Sequence, residues 1–280
     1  MDSHLDSLFS HPLAQYAVVS KKPARRLVVF VHGWRGSAHE TWGEFDSPPV
    51  DDWWGEADLL FVDYDSTHET VMATADRFRA HIGDFYPIPS PLLLQRGDVV
   101  VRHDAGRPYE ELILVGHSLG GLVLRRALVD AVDEWRQDLY ADARRPVLLD
   151  AILRLFSPAS AGFQPRGRVG AARATPLWWF AEVFLSDGAY PDLKSNSLTI
   201  RLTRARTERY TTRKGRAVCL AASILWANPE KVVATERYRT DARSRTIDGT
   251  SHSTVCKPKP GYQAPYAFVR TGVVDEPSKR

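Results

Sequence analysis

The pentapeptide Gly116-His117-Ser118-Leu119-Gly120 constrains this chain more than any other stretch. Ahead of it lies a continuous apolar run, Leu112 to Val115, of the kind that forms a strand buried on both faces. Behind it a helical pattern begins, carried by Leu122, Leu124, Ala127, Leu128, Ala131, Val132 and Trp135. A serine pushed out on a sharp strand-to-helix turn must take a strained backbone conformation. Side chains two residues to either side would then collide with the neighbouring strand and helix. Gly116 and Gly120 stand at those two places. Such a turn lifts the Ser118 hydroxyl clear of a sheet and sets it at a helix N-terminus, where free N–H groups and the dipole favour an incoming oxyanion. The plain alternative is a glycine-rich turn with an incidental serine, and the strand before and helix after argue for the elbow.

Three segments, Val31-His32-Gly33-Trp34, Gly116-His117-Ser118-Leu119-Gly120-Gly121 and Ser251-His252-Ser253-Thr254-Val255-Cys256-Lys257-Pro258, together resemble the α/β-hydrolase superfamily. Within it the chain looks most like the lipase/esterase-like branch that includes SERAC1-type and GPI-inositol-deacylase-like proteins. The resemblance runs roughly from residue 25 to 260. It implies an α/β fold, a mostly parallel sheet flanked by helices, as one domain over residues 1–280 with a helical cap at about 162–215. It also implies an oxyanion hole. The turn at Gly33 after the apolar strand Arg26–Val31 would present the Trp34 N–H, and the Leu119 N–H would be the second donor. Removing one such donor typically costs about 10²–10³ in rate.

A hydroxyl is a weak nucleophile and needs a base in hydrogen-bond reach, itself oriented by an acid. In α/β-hydrolases the order along the chain is serine, acid, histidine. Of nine histidines only His252 follows Ser118, so His252 is the expected base. The family places the acid after a late strand as Asp-x-x-Val, and Glu230-Lys231-Val232-Val233 matches with glutamate for aspartate. Glu230 is the expected acid, with Asp241 and Asp248 as rivals and Asp187 behind them.

Length and composition agree with this reading. A chain of 280 residues, 44% hydrophobic and 25% charged, can bury a full core. A net charge of +3 gives no reason to expect a nucleic-acid partner. No metal-ligand spacing and no phosphate-loop glycine pattern appear, so neither a metal nor another cofactor is expected. Cys219 and Cys256 are far apart, the start carries no signal-peptide pattern, and the apolar run Ala217–Ala227 is too short to span a bilayer. Reduced thiols in a cytoplasmic setting are the expectation.

The substrate side is less constrained. A tryptophan-rich stretch holds Trp42, Trp53 and Trp54, and Pro176–Leu185 holds Trp178 and Trp179. The second reads either as an acyl-binding wall or membrane-touching lid, or as a core helix. Arg201, Arg204, Arg206, Arg209, Arg213, Lys214 and Arg216 form a basic stretch, which reads as a solvated helix face or as an anionic headgroup site. His117, Trp178 and Trp179 are the candidate substrate contacts. The expected activity is a serine hydrolase cleaving a carboxylic ester, lipid-like in its apolar part, with peripheral membrane contact possible. A thioesterase or acyltransferase, a non-catalytic interaction module and a membrane-surface binder stay open beside it.

Some local expectations follow from pattern alone. Tyr16–Val19 reads as a short edge strand, Leu59–Val62 as a core strand, and Val218–Leu225 as the last long buried strand. Ser66 or Thr67 would cap a helix from about Glu69 to Ile82. Asp98–Arg102 reads as a strand or a packed insertion.

Overall fold

The computed structural model describes residues 4–96, 99–102, 106–137, 145–164, 188–211, 217–242 and 244–274. Eight strands make one sheet: β1 (His4–Leu8), β2 (Ala14–Ser20), β3 (Arg26–Val31), β4 (Ala57–Val62), β7 (Glu111–His117), β8 (Ala151–Phe156), β9 (Ala222–Asn228) and β10 (Arg245–Asp248). Two short strands, β5 (Gln95–Arg96) and β6 (Val99–Val100), pair only with each other. The order across the large sheet is β1-β2-β4-β3-β7-β8-β9-β10. Only β2 runs against its neighbours; every other pairing is parallel.

Central strands buried on both faces call for apolar side chains at nearly every position; β3 and β4 are buried along their whole length, with Arg26 and the ion-paired Asp58 as their charged exceptions. Alternate residues feed two separate cores. Leu27, Val29, Leu112 and Leu114 face one, with α3 (Val71–His81), α4 (Leu119–Gln137) and α6 (Leu198–Thr211) packed over it. Val28, Phe30, Ile113 and Val115 face the other, covered by α1 (Ala38–Trp42), α2 (Asp52–Gly55) and α7 (Ala264–Thr271). One further short helix, α5 (Tyr190–Leu193), precedes α6.

Several expectations are corrected here. Tyr16–Val19 lies within β2, which is not an edge, because β1 pairs outside it. The mostly polar residues His4–Leu8 form that outer strand, held partly by the buried His4 ring against the Trp54 and Ala57 carbonyls. The late strand starts at Ala222 rather than Val218, since Val218–Leu220 is a 3₁₀ turn, and β10 follows it. β10 is mostly exposed, so it carries no apolar signature. The helix cap is Thr70, whose hydroxyl accepts from the Ala73 N–H; Ser66 instead accepts from the Arg35 N–H. Trp135, which continues the helical pattern, sits in the exposed last part of α4. In the segment read as a strand or a packed insertion, Val99–Val100 is the short strand β6, and Arg102 is buried and pairs with the fully buried Asp58, which also accepts from the Tyr109 hydroxyl.

Two of the three tryptophans of the tryptophan-rich stretch are core, and Trp53 packs half-buried against them. Trp42 and Trp54 are fully buried with Phe45 under α7. Two arginines of the basic stretch are ion-paired on a helix face: Arg206 binds Asp130 and Asp133 on α4, and Arg204 binds Glu208 and Glu236. Arg213, Lys214, Arg216, Trp178, Trp179, Asp187 and most of the expected cap lie outside the described residues. No described helix is long and apolar enough to cross a membrane.

Candidate active site

Neighbouring parallel strands deliver their C-terminal ends to one edge of the sheet, and the register decides what meets there. Val31 of β3 pairs with Gly116 of β7, and His117 pairs with Phe156 of β8. Two residues past Val31 and Gly116, Gly33 lies beside Ser118; one residue past His117 and Phe156, Ser157 lies beside it on the other flank. The chain leaves β3 toward β4 on one side and returns to β7 on the other, so this edge is the switch point where such sheets open a crevice.

Ser118 takes φ 51°, a left-handed conformation that a serine adopts only under constraint. The constraint is visible on both flanks. The Ser118 N–H donates to the Phe156 carbonyl at 3.1 Å, and the Ser118 carbonyl accepts from Ala159 and Gly121 at 2.9 and 3.1 Å. The flanking glycines are required by close approach. A Cβ on Gly120 would sit 2.3 Å from the Val31 carbonyl oxygen and 2.4 Å from that of His32. A Cβ on Gly116 would sit 2.9 Å from the Gly121 backbone. Gly33 is tight as well, its notional Cβ lying 3.1 Å from both the Ser118 Cβ and the His117 ring.

The serine hydroxyl does not stand alone. His252 Nε2 lies 3.0 Å from Ser118 Oγ, and His252 Nδ1 lies 3.1 Å from Glu230 Oε2. Glu230 follows β9 by two residues and His252 follows β10 by four, so both loops open at the same sheet edge as the elbow. The Glu230 side chain is almost wholly buried. Its Oε1 accepts from the Val232 and Val233 N–H groups at 2.9 and 3.3 Å, and the Ser157 hydroxyl donates to the carboxylate. Burial pushes this carboxyl up, but the His252 ring, Ser157 and the Val232 N–H outweigh burial and hold it down to about 2. It is therefore ionised at neutral pH, and an ionised partner at Nδ1 fixes the proton there and leaves the Nε2 lone pair facing the serine.

The rival acids are committed elsewhere. Asp241 is buried in a two-pronged pair with Arg125 of α4 and also accepts from the Ala222 and Tyr238 N–H groups. Asp248 accepts from the Asn228 side chain on an exposed strand end.

The turn after β3 is held by its own histidine. His32 is fully buried, its Nδ1 donates to the Gly33 carbonyl at 2.8 Å, and its Nε2 accepts from the Tyr64 N–H. Leu119 is the first residue of α4, where backbone N–H groups have no carbonyl one turn back to bond. His117 is buried, and its Nε2 donates to the His252 carbonyl at 2.8 Å. It borders the crevice, but its one ring donor is directed at the protein's own backbone. Reasoning from sequence missed this bond, and it missed Ser157; the only signal for Ser157 was a serine directly after a strand next to the elbow strand.

A pocket of about 230 Å³ opens over Ser118 and His252. Trp34, Phe163, Leu193, Val232 and Val233 give it apolar walls, and Arg35 and Lys257 stand at its polar side. The pocket thus sets a hydroxyl within hydrogen-bond reach of an imidazole and beside an apolar recess, an arrangement suited to acyl transfer.

Strand order, the lone antiparallel strand and the serine elbow define the α/β-hydrolase fold. Solved structures carry the same fold. Carboxyl esterase 2 from the mycorrhizal fungus Tuber melanosporum matches with a TM-score of 0.55 at 12% identity, over 98% of this chain and 88% of its own. A mature lipase of Bacillus licheniformis matches with a TM-score of 0.51 at 16% identity, over 90% of this chain and 94% of its own. The 2-hydroxy-6-oxo-6-phenylhexa-2,4-dienoate hydrolase of a Rhodococcus strain matches with a TM-score of 0.51 at 13% identity, over 96% of this chain and 99% of its own. No protein-family model and no curated protein sequence matches the chain.

Proposed function

We propose that this protein is a serine hydrolase that cleaves a carboxylic ester through an acyl-enzyme on Ser118. One observation carries the reading: the run of contacts from Ser118 Oγ to His252 Nε2 at 3.0 Å and from His252 Nδ1 to a buried, ionised Glu230 at 3.1 Å. In this reading His252 takes the Ser118 proton as Oγ attacks the ester carbonyl. The carbonyl oxygen becomes an oxyanion held by the Trp34 and Leu119 N–H groups. His252 then gives the proton to the leaving alcohol, and the ester bond breaks. A water molecule repeats the sequence: His252 takes its proton, the hydroxide attacks the acyl-enzyme, and Ser118 leaves with the proton returned. Glu230 stays charged throughout and offsets the imidazolium that forms twice per turnover.

The acyl part is apolar, a reading supported by the Trp34, Phe163, Leu193, Val232 and Val233 walls. The lipase/esterase-like branch of the superfamily is the natural place for such a site. The neighbours of this fold named above, a lipase, an esterase and a hydrolase, are compatible with that assignment.

A fluorophosphonate probe and a panel of p-nitrophenyl esters of graded chain length test the proposal. Labelling and turnover should both be present in the wild type and absent in Ser118→Ala. A wild type that neither labels nor turns over any ester in the panel sinks the hydrolase reading. Turnover that is greatest with acetate and falls with every added methylene sinks the apolar acyl part.

A further inference from the structure

We propose that His117 is a positioning residue for the base: its Nε2–H grips the His252 backbone carbonyl and holds the imidazole in line between Ser118 and Glu230. This rests on the serine-hydrolase reading above and goes beyond the three residues named in it.

The argument is geometric. The His252 ring is held at both nitrogens by partners on two other loops, Ser118 after β7 and Glu230 after β9. Those two contacts leave the ring free to rock about the line joining them unless its backbone is also fixed. The loop has local turn bonds, Thr254 and Val255 N–H to the Ser251 carbonyl at 3.0 Å each, and it is anchored downstream by the buried Val255 and Cys256. The His252 carbonyl has a bond of a different kind. It accepts at 2.8 Å from a side chain 135 positions away in sequence, on the residue adjacent to the nucleophile. Consecutive side chains of a strand point to opposite faces. The left-handed turn at Ser118 removes that restriction, so two successive residues both reach His252, one at its ring and one at its backbone.

His117 suits this task. It is buried against Gly33, and its ring meets the Trp42 ring edge-on at 6.4 Å and the His252 ring at 4.9 Å. Burial first, and the nearby His252 second, push its pKa down to about 3, so it remains a neutral donor across the working range. A neutral imidazole with its proton at Nε2 leaves no N–H at Nδ1, the atom that faces Gly33 in the tight turn after β3. The same side chain thus keeps the Gly33 turn and the His252 loop at a fixed separation.

The test compares His117→Phe, which fills the site but cannot donate, with His117→Gln, which restores an N–H donor. Each is measured for kcat, KM, fluorophosphonate labelling rate and melting temperature. A misplaced reacting group of this kind costs up to about 10²-fold, so His117→Phe should lower kcat by about 10–100-fold. KM should stay within about twofold, labelling should slow in proportion to kcat, and His117→Gln should recover most of the loss. A raised KM with kcat retained overturns the proposal in favour of a substrate contact. Equal loss in both variants together with a lowered melting temperature overturns it in favour of packing alone. Unchanged kinetics in His117→Phe overturn it outright. A wild type lacking turnover and labelling is a separate result, and it refutes the hydrolase reading rather than the role of His117 within it.

Discussion

Glu230→Gln is the sharpest single test of the candidate site. Glutamine keeps the length of glutamate, and its amide oxygen replaces Oε1 as acceptor for the Val232 and Val233 N–H groups. That choice puts the NH₂ group at the Oε2 position, 3.1 Å from His252 Nδ1. Two donors cannot face each other, so Nδ1 must become an acceptor and the ring proton moves to Nε2. The proton then points at Ser118 Oγ, and the base can no longer accept. The same tautomer reversal in the serine-protease triad costs about 10⁴ in kcat, so a loss of about 10³–10⁴ is expected here. In barrier terms that is about 4–5.5 kcal/mol. KM should change little, and Glu230→Asp, which keeps the charge on a shorter stem, should retain more activity than Glu230→Gln.

Stability gives the same variant a second, independent readout. Displacement of the Glu230 carboxyl from its ordinary 4.5 to about 2 corresponds to about 3 kcal/mol of preference for the charged form over the protonated acid, a contribution that glutamine lacks. The folded-state pKa is the lower one. The contribution is therefore fully present above about pH 4.5 and is lost as pH falls through about 2. The difference in melting temperature between wild type and Glu230→Gln should shrink over that acid window. A Glu230→Gln enzyme with near-wild-type kcat would refute the reasoning, most directly if Asp241→Asn or Asp248→Asn were inactive instead.

Two more outcomes follow from the packing. Gly120→Ala places a methyl 2.3 Å from a main-chain oxygen of β3 that cannot move without opening the sheet, so it should cost at least about 3 kcal/mol and be visible as a melting temperature lower by several degrees or as loss of soluble protein. Asp241→Asn breaks one side of a buried ion pair and should destabilise by about 3–5 kcal/mol in a denaturant titration, while kcat measured at a permissive temperature stays close to wild type.

The serine elbow was unusually legible because it has a steric requirement that shows in the residues around it. A serine forced to φ 51° between a strand and a helix needs glycines where backbone meets backbone, and Gly116 and Gly120 announce that need. His252 was legible for a different reason, being the only histidine after Ser118. Buried central strands were legible as unbroken apolar runs. The edge strands were not: β1 and β10 hold their places through backbone pairing and carry side chains that look like loop.

The sequence by itself determined the serine elbow and the parallel sheet, since each is dictated by local sterics and by burial of consecutive side chains. It left the acid open among Glu230, Asp241 and Asp248, because a carboxylate declares its role only through what surrounds it. Tertiary structure decided how those three are engaged, by burying Glu230 against His252, pairing Asp241 with Arg125 and leaving Asp248 at an exposed strand end. It also moved Trp42 and Trp54 from the substrate side to the core and turned Arg204 and Arg206 from a candidate anion site into ion pairs. The physical reason is the same in each case: charge and aromatic surface take their function from their neighbours, and distant neighbours are set by the register of the sheet.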